Sequence, residues 1–189
     1  GYYSWINISI TNVLILPAIF VALILGGVTI YKKHLSPITV PIYAVIQGIF
    51  LGAISYTFNS LYDGIVITAI SYTLSILFVM LTLYRTGIIK PTENFKLGVA
   101  AGTGGIALIY LANFVMSFFG TGLSIMDINN ASMYSIGFSL LVIVMASLNL
   151  VVDFDFIEEG SEKRAPKYME WYGAFGLLVT LIWLSLIHI

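Results

Sequence analysis

The residues with most chemical potential in this sequence are its carboxylates. Only nine Asp and Glu occur in 189 residues, and five of them crowd together as Asp153, Asp155, Glu158, Glu159 and Glu162. Asp153 and Asp155 follow directly on an apolar run, and Glu170 stands just before Trp171 at the opening of the next one. Asp155, Glu158 and Glu162 recur at i, i+3 and i+7, which is one face of a helix if the apolar run continues helical past its end. Crowded carboxylates raise one another's pKa by like-charge repulsion, and partial desolvation adds to it, so a group that starts near about 4 can be brought into the physiological range. Hard cations such as Ca²⁺ take the same oxygen ligands. Asp153, Asp155 and Glu170 are therefore the candidate ion- and proton-sensing residues. The competing reading is a solvated helix end with Lys163, Arg164 and Lys167 as counter-ions, the usual meaning of a surface charge run.

Other chemistries find little to work with. The absence of cysteine removes disulfides, thiolate zinc sites and cysteine nucleophiles. His34 lies among basic residues and His188 near the end of the sequence, each without an acidic neighbour at ligand spacing, so no metal site is expected. The apolar segments offer serines without a base, so no catalytic residue, no enzyme activity and no cofactor are expected. A net charge of −1 gives no basic field to recruit nucleic acid. Asn7-Ile-Ser9 and Asn130-Ala-Ser132 match a glycosylation acceptor, a pattern common by chance.

The elements that must position these groups are membrane spans. A soluble domain carries about 25% charged and about 45–50% apolar residues, whereas this chain has 9% charged and 59% hydrophobic residues and a mean hydropathy of +1.00. Its bulk has to face hydrocarbon. Six apolar segments are long enough to cross, at residues 13–31, 38–58, 64–84, 97–119, 133–152 and 168–187. They do not alternate as the strands of a membrane barrel would. The expectation is an all-α polytopic transmembrane bundle forming a single domain over residues 1–189, with short connections.

All eight basic residues fall in alternate connections: Lys32 and Lys33, then Arg85, Lys90 and Lys96, then Lys163, Arg164 and Lys167. By the positive-inside rule these connections share the cytoplasmic face of a cell membrane. Residues 1–12 open with GYYSW, which reads as the interfacial tail of a preceding helix, so a seven-span protein is expected. Gly48 and Gly52, Gly98 and Gly102 are spaced i, i+4, and Gly173 and Gly176 lie on the last span. Such small residues suit close helix packing, with a gating hinge as the alternative. Gln47, Asn113 and Asn149 are expected to bond across helices, with pore lining as the alternative.

Four stretches carry a resemblance to a known family: residues 41–52 (PIYAVIQGIFLG), 84–95 (YRTGIIKPTENF), 153–160 (DFDFIEEG) and 165–178 (APKYMEWYGAFGLL). The chain resembles the bacterial branch of the Bax inhibitor-1/YccA family of membrane proteins. The resemblance implies a seven-helix fold with the last helix packed inside the others, here without its first helix, in the bacterial inner membrane. It implies a pH-sensitive Ca²⁺ leak channel, Ca²⁺ being the permeant ion; eukaryotic members oppose cell death. It also implies an alternative, a membrane interaction protein that modulates a membrane-bound AAA protease without conducting ions. Members of the family pair an acidic residue after the sixth helix with another inside the seventh to make a proton-sensitive gate. Asp155, with Asp153 beside it, matches the first. The second has no match: residues 171–187 contain no carboxylate, Leu181 stands near the aligned position, and Glu170 is the only acidic residue on that helix.

Overall fold

The computed structural model describes residues 8–123 and 132–188, with side chains from Pro17 onward. The stub at residues 1–5 lies outside the described residues, as do Asn7 and Asn130 of the two glycosylation-like tripeptides. Among the described residues six helices follow one another: α1 (Ile8–Tyr31), α2 (Ser36–Leu61), α3 (Ile65–Arg85), α4 (Glu93–Ser117), α5 (Met133–Glu162) and α6 (Tyr168–Ile187), with a short 3₁₀ turn at Lys33–Leu35 before α2. No strand occurs among the described residues. Five helices, α2 to α6, are long and apolar enough to cross a membrane, and α1 is apolar over Pro17–Tyr31. The chain is thus a polytopic helical bundle. Its large apolar side chains face outward, as in Leu23, Ile38, Leu108 and Leu140, each more than 60% exposed. In lipid such a surface costs nothing, and every backbone polar group can be satisfied within its own helix.

The helix boundaries differ from the apolar segments where local chemistry, not hydropathy, sets them. α1 begins at Ile8, five residues ahead of the apolar run, so residues 8–12 belong to the helix. α4 starts at Glu93 because Thr92 caps it, its hydroxyl accepting from the Phe95 amide at 3.3 Å. Glu93 then pairs with Lys96 at 3.2 Å within that first turn. α5 runs ten residues past the apolar segment, to Glu162.

Two compact units divide the chain, one made of Gly1–Leu74 with Asp155–Ile189, the other of Ser75–Phe154. In the first, α1, α2 and α6 enclose Ala22, Val40, Tyr43 and Phe175, with Leu25, Ile46 and Leu178 packed against them. Tyr43 and Phe175 meet edge to face at 5.1 Å. Gly26 leaves room for both rings, since a Cβ there would lie 3.8 Å from Tyr43 and 3.9 Å from Phe175. Near the α1–α2 connection the buried Thr29 hydroxyl bonds the Leu25 carbonyl and the Thr39 hydroxyl, each at 2.7 Å, so a polar contact crosses the two helices.

In the second unit, α4 and α5 approach at Gly102, where a Cβ would overlap the Met145 methyl. Asn149 donates to the Thr103 hydroxyl at 2.7 Å and to the Met145 carbonyl at 2.9 Å. This is the interhelical bond expected of Asn149, and it satisfies an amide that hydrocarbon would otherwise leave bare. Tyr110 and Phe138 add an edge contact at 6.4 Å.

Candidate functional site

The acidic stretch is helical throughout. α5 leaves its apolar run with Leu150, Val151 and Phe154 buried, a packed face at i, i+1, i+4, and sets Asp153 and Asp155 half-buried on its flanks. Neither aspartate is free of a partner. Glu158 and Glu162, further along the line of Asp155, are exposed. Glu159 pairs with Lys163 one turn on, in the Glu-before-Lys order that a helix favours.

The helix stops at a Schellman motif. The Ala165 amide donates to the Gly160 carbonyl at 2.9 Å and the Arg164 amide to the Ser161 carbonyl at 3.1 Å. The residue in the left-handed position is Arg164, with φ +50°. α3 and α4 end in the same motif, but there Gly87 and Gly120 take that position, both at φ +72°. Arg164, read from sequence as a counter-ion, is also the one non-glycine held at positive φ among the described residues.

After the turn, α6 returns against the end of α5. Gly173 is the close approach: a Cβ there would lie 2.9 Å from Ile157 Cγ1. This contact sets the levels of the carboxylates. Asp155 lies two residues before Ile157 on α5, whereas Glu170 lies three residues before Gly173 on α6, toward the turn. At 1.5 Å per residue the two stand roughly 7 Å apart along the helix axes. Asp155 is level with Phe175, whereas Glu170, which is exposed, lies in the first turn of α6.

The α1–α2 connection docks on the start of α6. The fully buried Ser36 hydroxyl lies 2.7 Å from the Tyr168 carbonyl and 2.7 Å from that of Lys33. Lys33 Nζ sits over the Tyr172 ring, 5.0 Å from its centre. Tyr172 also meets Phe156 of α5 at 5.8 Å and Phe175 at 6.4 Å. Two of the three basic connections therefore lie at one end of this unit. In the other unit, Tyr84 at the end of α3 meets Phe154 at 5.8 Å.

The remaining expected residues divide. Gly52 is buried, Gly48 and Gly176 are half-buried, and Gly98 is exposed with nothing within 4 Å of an added Cβ. Gln47 does not reach another helix: it donates to the Tyr43 hydroxyl one turn back, at 2.8 Å. Asn113 accepts from the Leu123 amide at 2.8 Å, tying the connection after α4 to its own helix. Gln47 Nε2 and Asn113 Oδ1 thus bond within their own helix or its connection. His34 is exposed, while His188 Nδ1 lies 2.7 Å from the Leu184 carbonyl and its ring 5.7 Å from that of Tyr72. Among the described residues no three of His, Asp and Glu converge as metal ligands; the α5 carboxylates form a line rather than a cage.

Sequence reasoning missed the docking of residues 33–36 on α6. Ser36 falls between two apolar segments, and nothing local shows that its hydroxyl reaches a carbonyl 132 residues away.

A family model described as Bax inhibitor 1 like matches residues 1–187. No curated protein and no solved structure matches the chain. With almost its whole length matched, and with six helices among the described residues, five of them fit to cross a membrane, the chain belongs to the Bax inhibitor 1-like family.

Proposed function

We propose that this protein lets cations, Ca²⁺ foremost, pass down their gradient across a membrane, and that protonation of Asp155 and its neighbour Asp153 sets the rate. The observation that carries this reading is the half-buried Asp155 at the level of Phe175, inside the close approach that Gly173 and Ile157 make. A carboxylate at that level keeps part of its surface open, and its oxygens are the ligand type that Ca²⁺ takes. Glu170, exposed and nearer the turn, adds negative charge at the entrance. The basic connections face the cytoplasm in this reading.

The experiment is Ca²⁺ efflux from loaded liposomes containing the purified chain, measured across pH. Efflux above that of empty liposomes, with a rate that changes with pH, is expected. Efflux equal to that of empty liposomes at every pH would end this reading.

One observation favours a second reading, in which the protein modulates a membrane-bound AAA protease through its connections and conducts nothing. α6 carries no carboxylate beyond Glu170, and Leu181 is half-buried where a second gate residue would stand. This reading expects a protease to co-purify with the chain from mild detergent and no flux.

A further inference from the structure

We infer that the end of the first unit, where the α1–α2 connection docks on α6, binds the phosphate of an anionic phospholipid through Lys32, Lys33 and Lys167. The inference is independent of ion conduction.

Three observations converge. First, these cations are fixed relative to one another: Ser36 ties the connection to the Tyr168 carbonyl at 2.7 Å, and Lys167 is the residue immediately before Tyr168. Lys33 is further held by the face of Tyr172. Second, their charge is not neutralised by the protein. Lys32, Lys33, His34 and Lys167 are all exposed, and among the described residues no ion pair engages them. Glu170, one turn into α6, is the acidic residue nearest Lys167 in sequence, and of the carboxylates at the end of α5, Glu159 is already paired with Lys163. Third, the patch lies at headgroup depth. Tyr31 is 90% and Trp171 42% exposed, and such amphipathic rings settle at the boundary between hydrocarbon and water. Unneutralised lysines at that depth face a layer whose one abundant anion is the lipid phosphate diester, and long lysine stems reach it by snorkelling. Charge complementarity selects an anionic lipid over a zwitterionic one.

The test uses the full chain with Trp171 as sole tryptophan (Trp5→Phe, Trp183→Phe), reconstituted in phosphatidylcholine. Brominated phosphatidylglycerol or brominated phosphatidylcholine is added at equal mole fraction, and quenching of Trp171 is read. Stronger quenching by the anionic lipid is expected, and high salt should weaken it. Each lysine near an anionic surface contributes about fivefold in binding, so Lys32→Gln, Lys33→Gln and Lys167→Gln together should erase the preference. Lys90→Gln with Lys96→Gln should leave it intact. If the triple variant does not fold, Lys32→Gln and Lys167→Gln are read singly, each with about a fivefold loss expected. Equal quenching by both lipids in the wild type, a preference that survives the lysine changes, or an equal loss in the Lys90/Lys96 control would overturn the inference. So would abolition of the preference by inorganic phosphate where sodium chloride of equal ionic strength does not abolish it, since the ligand would then be the free anion.

Discussion

At Arg164 the backbone adopts φ +50°, a conformation that costs a residue with a Cβ roughly 1–2 kcal/mol and glycine nothing. Gly87 and Gly120 hold the same place in the other two Schellman turns. Arg164→Gly should therefore stabilise the protein by about 1 kcal/mol, read as a higher midpoint of thermal unfolding in detergent. Gly173 makes the opposite case. A methyl there would stand 2.9 Å from the Cγ1 of Ile157, a β-branched residue with little freedom to turn away. Gly173→Ala should cost about 1–3 kcal/mol in the same measurement, and Ile157→Ala in that background should recover part of it. The sequence showed that Gly173 was a small residue in a span, but only the structure shows which of the small residues are tightly opposed. Gly98 carries the same signal and faces open space.

Helix ends in this protein are set by caps and turns, which is why they differ from the ends of the apolar segments. The segment at residues 133–152 ends where charge begins, but α5 continues to Glu162 because nothing in DFDFIEEGSE breaks a helix before the Schellman turn. The i, i+3, i+7 spacing of Asp155, Glu158 and Glu162 was legible in the sequence for this reason. Amide hydrogen exchange checks the point: residues 159–162 and the amides of Arg164 and Ala165 should be protected well above unfolded-chain rates, whereas a mobile connection would leave them unprotected. At α4, Thr92→Ala should cost about 1 kcal/mol through loss of the cap on the Phe95 amide, again read by thermal unfolding.

The bundle as a whole follows from composition, since 59% hydrophobic and 9% charged residues leave no other solvent than lipid for most of the surface. The contacts that assemble the first unit did not follow, because Ser36 to Tyr168 and Lys33 to Tyr172 join positions far apart in sequence through groups common in any loop. Orientation can be tested directly, since the chain has no cysteine to confuse labelling. Cysteines placed singly at Lys33, Lys90 and Lys163 should react with an impermeant maleimide from one side of sealed vesicles, and a cysteine at Asp63 from the other. The proposed function turns on Asp155, with Asp153 beside it. Ca²⁺ efflux from liposomes should vary with pH for the wild type and vary much less for Asp155→Asn, whose side chain there is neutral at every pH, while Glu170→Gln should keep the pH dependence at a reduced rate. An Asp155→Asn protein with wild-type rate and wild-type pH profile would contradict the account.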